Sequence, residues 1–209
     1  MATAGLNQEA TVFVVDDDDA VRESLVFLMK SIGLKAESFP SAQIFLDSYN
    51  PARAGCLVLD IRMPGMSGLE LQDKLIQMGS ILPIIFITGH GDVPMAVKAI
   101  KAGAADFVQK PFRDQELIER IREVLEEDSH ARAEKLQRTE ILRRMETLTE
   151  REREVMGQVV DGKANKVVAI DLNVSQRTVE IHRANVMEKM KARSLAQLVR
   201  LVMKARGEL

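Results

Sequence analysis

Four acidic residues in a row, Asp16-Asp17-Asp18-Asp19, follow directly on the apolar pair Val14-Val15. Adjacent like charges repel, and each is harder to ionise the deeper it lies. Such a run either caps a helix in open solvent or gathers around something cationic. Three further residues of chemical interest stand at the ends of strand-like runs: Asp60 after Cys56–Leu59, Thr88 after Ile84–Ile87, and Lys110 after Asp106–Gln109. Two carboxylates on one strand end, a third on another, a hydroxyl and an amine suit one kind of reaction. Three carboxylates make an oxygen-lined site for Mg²⁺, which takes few protein ligands and keeps several waters. One carboxylate can serve as nucleophile toward a phosphoryl group. The metal and Lys110 would neutralise charge on the transferring group, and Thr88 could hydrogen-bond a phosphoryl oxygen.

These residues are useful only if the chain brings strand ends together. The first 127 residues alternate strand-like runs (Thr11–Asp16, Lys35–Phe39, Cys56–Asp60, Ile84–Thr88, Asp106–Gln109) with helix-like ones (Ala20–Ser31, Ser41–Ser48, Gly68–Gly79, Pro94–Ala102, Asp114–Glu127). Five βα units in succession predict a doubly wound α/β domain, a five-stranded parallel sheet with helices on both faces. Cys56–Asp60 and Ile84–Thr88 are apolar enough for strands covered on both sides. In such a sheet ligands gather at the carboxyl ends of the strands.

From Asp114 to Met156 the sequence has no Gly or Pro and is rich in helix formers. The fifth helix is expected to continue, with a break near Asp128-Ser129-His130, into an exposed helical linker over 128–147. The remaining 148–209 reads as an all-α, four-helix unit. Thr149-Glu150-Arg151-Glu152 is a capping box, and Asp161-Gly162 ends the first helix. Lys163–Leu172 forms a short second helix, Ser175 caps a third to Met190, and Ser194 caps a fourth, Leu195–Ala205. The short Asn173-Val174 connection is what a helix-turn-helix needs.

The chain has 209 residues, 46% hydrophobic and 29% charged, and no apolar run of membrane-spanning length. Met1–Ala10 shows no signal peptide. The single Cys56 excludes an intramolecular disulfide framework and reads as a buried, inert thiol, so a reducing cytoplasm is expected. Residues 1–127 hold 12 Lys/Arg against 19 Asp/Glu, whereas residues 162–206 hold 10 against 3. That split predicts different partners, a polyanion for the second unit.

The motifs Val15-Asp16-Asp17-Asp18, Leu59–Gly68 (LDIRMPGMSG), Thr88-Gly89-His90-Gly91-Asp92 and Asp106–Phe112 (DFVQKPF) together resemble the receiver domain of two-component response regulators. The resemblance covers residues 11–112 and implies a flavodoxin-like strand order, 2-1-3-4-5. It implies that Asp60 is the phosphoacceptor, that Asp17 binds Mg²⁺ directly and Asp16 largely through water, and that the backbone carbonyl of Arg62 completes the ligand set. Lys110 would pair with the phosphoryl group, the Lys110–Pro111 bond would be cis, and Thr88 and Phe107 would form a switch pair. Asp18 and Asp19 are better explained as helix capping. A haloacid-dehalogenase-type enzyme is the competing class, since Asp16 and Asp18 have its spacing; Asp60, Thr88 and Lys110 then need another explanation, and no segment remains for a cap.

Residues 145–206 resemble the helix-turn-helix output domain of LuxR, NarL and FixJ-type regulators, through Leu148–Glu152, Gly162–Lys166 and Val174–His182. On the third helix, Val179, His182, Val186 and Met190 make a core stripe. The opposite face carries Arg177, Glu180, Ile181 and Ala184, which would enter a major groove. Ile181 would meet thymine methyls, and Glu180 would accept from a cytosine amine or orient a neighbouring arginine. Lys166, Arg177, Thr178, Arg183 and Lys189 are expected to contact phosphate. The resemblance implies a phosphorylation-controlled transcription factor, not an enzyme. Its partners would be a sensor histidine kinase, double-stranded promoter DNA and, on phosphorylation, a second copy of the chain. As an activator, the expected role, it would also meet RNA polymerase.

Overall fold

β-Branched and aromatic residues fit a pleated surface and dominate two of the five strands, β1 (Thr11–Val15) and β4 (Ile84–Thr88); the others are β2 (Lys35–Phe39), β3 (Gly55–Asp60) and β5 (Asp106–Gln109). The computed structural model describes residues 10–89 and 93–208. Met1–Glu9, within the stretch expected to lack a signal peptide, and His90–Asp92 of the fourth-strand motif lie outside the described residues. All strand pairs are parallel and their order is β2-β1-β3-β4-β5, as expected. β1 lies between β2 and β3, so β1 and β3 meet where the winding reverses.

Alternate strand residues point to opposite faces, and each face has its own core. Val12, Val14, Cys56, Val58, Ile85 and Ile87 pack with Leu25 and Met29 of α1 (Asp19–Ser31) and with Leu117 and Ile121 of α5 (Asp114–Glu146). Phe13, Val15, Leu57, Leu59 and Phe86 pack with Phe45 of α2 (Ala42–Ser48), Leu71 and Leu75 of α3 (Gly68–Gln77), and Ala99 of α4 (Val93–Lys101). α3 begins at Gly68 for a steric reason: a Cβ there would lie 2.2 Å from the carbonyl oxygen of Asp60. The Lys110–Pro111 peptide is cis, as the resemblance implied. Cys56 is fully buried; burial pushes its thiol pKa up, and the nearby charge of Asp128 adds to the shift. An inert thiol is the result.

One expectation fails in α5. It is a single helix of 33 residues from Asp114 to Glu146, with no break at Asp128-Ser129-His130. Helix formers surround those three residues, and no Gly or Pro interrupts the hydrogen-bond ladder. The chain divides into compact units at Ala131/Arg132, within this helix. The C-terminal part of α5 belongs to the second unit: Ile141 is buried in its core with Leu148, Met156, Val186, Met190, Leu198 and Val202.

That unit contains α6 (Glu150–Val160), α7 (Asn165–Asp171), α8 (Gln176–Lys189) and α9 (Leu195–Arg206). Thr149 and Glu152 form the reciprocal capping box before α6, while Ser175 and Ser194 cap α8 and α9. A smaller cluster of Val155, Val159, Val168, Ala169 and Val179 ties α6, α7 and α8 together. Of the expected α8 stripe, Val179, Val186 and Met190 are buried. His182 is half-buried, and its Nδ1 has no hydrogen-bond partner.

Candidate functional site

The four strand ends converge on Lys110. Asp16 directly follows β1, Asp60 ends β3 and Thr88 ends β4, and all three are buried. The Lys110 ammonium donates to Asp16 Oδ2 and to Asp60 Oδ1, both at 2.9 Å. Its backbone N–H donates to the carbonyl of Thr88 at 2.7 Å, which fixes the lysine's origin beside the hydroxyl-bearing strand end. The second oxygen of Asp60 accepts the backbone N–H of Arg62 at 2.6 Å. Asp16 Oδ1 accepts the N–H of Asp18 at 2.9 Å, and its carbonyl accepts Arg22 Nη1 at 2.7 Å. Both carboxylates are therefore held from two sides.

Burial is the largest influence on Asp60 and raises its pKa; the hydrogen bond and charge of Lys110 oppose it, and Asp16 adds to the rise. Burial works against the Lys110 ammonium, but its bonds to Asp60 and Asp16 outweigh that and leave its pKa raised. One cation thus serves two carboxylates, and at Asp60 it does not offset burial.

The acidic run divides as its surroundings require. Asp18 is the N-cap of α1, accepting from the N–H of Ala20 at 2.8 Å and of Val21 at 3.4 Å. Asp19 lies in the first helical turn and pairs with Arg22. Asp17 is exposed. Among the described residues no three acidic, histidine or cysteine side chains converge closely enough to hold a metal ion. The available donors are nonetheless all oxygen: Asp16, Asp60, the exposed Asp17 and the carbonyl of Arg62. This set fits a hard divalent cation that keeps several waters.

Phe107 is 38% exposed, on the edge strand β5, rather than buried as a plain core aromatic would be. Sequence reasoning missed Arg22. Its position one turn into α1, facing back toward Asp16, was the available signal.

In the second unit α8 presents Arg177, Glu180, Ile181 and Ala184 to solvent. Thr178 is half-buried and bonds the Ser175 hydroxyl at 2.8 Å, while Lys166 on α7 is exposed. Two expected phosphate contacts have partners inside the unit. Arg183 Nη1 donates to Asn165 Oδ1 at 2.9 Å. Lys189 Nζ donates to Glu152 Oε2 at 2.6 Å and to the carbonyl of Thr147 at 3.2 Å, so its charge is directed inward. Glu152 is itself buried; the Lys189 bond, then the N–H of Thr149, hold its carboxyl down at about 2. The capping box announced Glu152 as a cap, but nothing in the local sequence pairs it with a residue 37 positions away.

The sequence profile described as the response regulator receiver domain matches residues 12–122, and that of the luxR family of bacterial regulatory proteins matches residues 146–202. The chain is a response regulator of the FixJ/LuxR type, a family of transcription factors rather than of classical enzymes. Over 203 residues it is 46% identical to the response regulator protein TodT of Pseudomonas putida, covering 97% of this chain and 89% of that one. It is 50% identical over 194 residues to the transcriptional regulatory protein FixJ of Azorhizobium caulinodans, covering 93% and 92%. The solved structure of the response regulator StyR superposes with a TM-score of 0.87 at 45% identity, over 94% of this chain and 99% of that one. Receivers of this family generally bind Mg²⁺, and the family implies a histidine kinase and DNA as partners. No helix among the described residues of this response regulator is long and apolar enough to cross a membrane.

Proposed function

We propose that this response regulator is switched by phosphoryl transfer to Asp60. The observation that carries the reading is the Lys110 ammonium held 2.9 Å from both Asp60 and Asp16 at the carboxyl edge of the sheet. An Asp60 carboxylate oxygen attacks the phosphorus of a kinase phosphohistidine; the new O–P bond forms as the P–N bond breaks, and the imidazole leaves. Asp16, Asp17, Asp60 and the Arg62 carbonyl would hold Mg²⁺, which when bound neutralises phosphoryl oxygens. Lys110 stays within reach of the same oxygens and stabilises the charge that builds on them. The Arg62 N–H keeps the Asp60 carboxylate from rotating. Thr88, buried beside Lys110, donates its hydroxyl to a phosphoryl oxygen.

Phe107 then reports the movement of Thr88 outward. Val97 and Ile100 of α4 are likewise exposed apolar side chains, at 46% and 39%, and with Phe107 would make up the switched surface. Covering that surface with a second copy would give the phosphorylated dimer and bring two α8 helices to paired half-sites about one DNA turn apart. Lys166, Arg177 and Thr178 contact phosphates, and Glu180, Ile181 and Ala184 enter the groove. Activation of a promoter through RNA polymerase, in the cytoplasm, completes the reading, and the relatedness to FixJ supports it.

Labelling with radioactive acetyl phosphate and Mg²⁺ tests the central step. The wild-type chain is expected to label and Asp60→Asn to label not at all. Undiminished labelling of the variant would place the acceptor elsewhere.

A further inference from the structure

The exposed face of α8 is poor in hydrogen-bond donors beyond its first turn. Among its three Lys/Arg side chains, Arg183 bonds Asn165 and Lys189 bonds Glu152, which leaves Arg177 in the first turn. One turn further on, the exposed positions are Glu180, Ile181 and Ala184. Guanine is most often read by a bidentate Arg or Lys and adenine by a bidentate Asn or Gln, and these three positions hold none of those types.

What they hold instead selects other base edges. Ile181 is 53% exposed on a helix whose core stripe faces the other way. A β-branched apolar side chain in the major groove gains only by covering the one apolar group there, the thymine methyl. Ala184 lies three residues along the same face and is small enough to admit a methyl beside it. Glu180 is an anion that would enter a groove flanked by one phosphate charge per ~1.7 Å of helix axis. That repulsion is offset only if the carboxylate finds a donor. Its single hydrogen bond among the described residues, from Gln176 Nε2 at 3.5 Å, is long and leaves acceptor capacity open. In the major groove the amine of cytosine is the base donor suited to a carboxylate.

We propose that α8 reads pyrimidine edges: thymine methyls through Ile181 with Ala184, and a cytosine N4 amine through Glu180. The specificity rests on the DNA-binding reading above and deepens it, naming the chemistry of the half-site rather than its existence.

The full-length chain, treated with acetyl phosphate, is used to select duplexes from a randomised pool, and the selected duplex is then the probe. Failure to enrich any sequence would overturn the DNA-binding reading itself. With a probe in hand, each thymine is replaced singly by uracil, which lacks only the methyl. The wild-type chain is expected to lose about fourfold in affinity at one or two positions, the scale of one buried methyl group. Ile181→Ala should bind thymine and uracil probes equally at those positions. Glu180→Gln should relax a fixed cytosine toward adenine, by about tenfold in the ratio of affinities. Tight binding that ignores every uracil replacement, or an equal uracil penalty in Ile181→Ala, would overturn the proposal while leaving DNA binding intact. Both substituted residues are exposed, so unchanged thermal midpoints are expected to show that folding is unaffected.

Discussion

Each compact unit contains a buried carboxylate facing a lysine, and the two pairs behave in opposite ways. Glu152 has Lys189 to itself at 2.6 Å and also accepts the Thr149 N–H, so its ionised form is strongly favoured. Asp60 shares Lys110 with Asp16, and burial outweighs what the divided cation returns. A saturated pair stabilises a fold. An under-compensated group of three stores unfavourable charge at a sheet edge, where a further cation can relieve it. Perturbed ionisation therefore points to chemistry at Asp60 and to architecture at Glu152, and the sign of the shift separates them.

The largest expected effect comes from removing the shared cation. Lys110→Ala should slow labelling by acetyl phosphate by about 10²–10³-fold, the usual scale for losing one preorganised charge at a transferring group. A rate within threefold of wild type, on the order of 0.6 kcal/mol, would remove the lysine from the chemistry.

Next are the stability changes, expected to differ in sign. Glu152→Gln should destabilise the second unit by about 2 kcal/mol in urea titrations at pH 7, because a charge-assisted pair loses its acid and leaves Lys189 poorly matched. The folded carboxyl of Glu152 titrates at about 2, below its ordinary 4.5. Its stabilisation is thus fully present above pH 4.5 and fades as the pH falls toward 2, and the gap between variant and wild type should close over that interval. Asp60→Asn should do the reverse. A carboxyl whose folded pKa is raised destabilises the fold at pH values above that pKa, so the neutral variant should be more stable than wild type at pH 7 and no different well below the ordinary carboxylate range. A loss of stability in Asp60→Asn at pH 7 would erase the contrast between the two pairs.

The smallest effect is expected at a third pair. Arg53 donates to both oxygens of Glu37, one at 2.8 Å, on the outer strand β2, and also lies 4.7 Å over the Phe13 ring. Water reaches both partners, so Glu37→Gln should cost no more than about 0.5 kcal/mol. A cost equal to that of Glu152→Gln would show that burial, rather than pairing, had been given too much weight.

The acidic site was legible because its parts sit where the sequence changes character. Asp16, Asp60 and Thr88 each close an apolar run, Lys110 follows a fifth strand-like one, and parallel strands bring such ends to one edge. The capping box that holds α6 depends on local chemistry as well, whereas the strand order came with the receiver resemblance. What escaped were properties fixed by distant partners. Lys189 looks like any solvated cation until α6 places Glu152 beneath it. α5 reads as a helix followed by a linker because its apolar positions are sparse, yet Ile141, with Met145 packed on the same cluster, anchors its last turns in a core.

Two arginines of α5 give that anchoring a practical side. Arg138 Nε donates to the carbonyl of Ala205 at 3.1 Å, and Arg144 Nη1 to that of Met190 at 3.3 Å. These carbonyls lie at the C-terminal ends of α9 and α8, where the helical ladder leaves acceptors without donors. A protein chemist preparing the helix-turn-helix as a fragment would be tempted to cut at Leu148, just before the first capping box. Such a fragment would start without Ile141 and without either arginine, its recognition helix frayed at the far end. The piece that keeps its own closing bonds begins near Arg132.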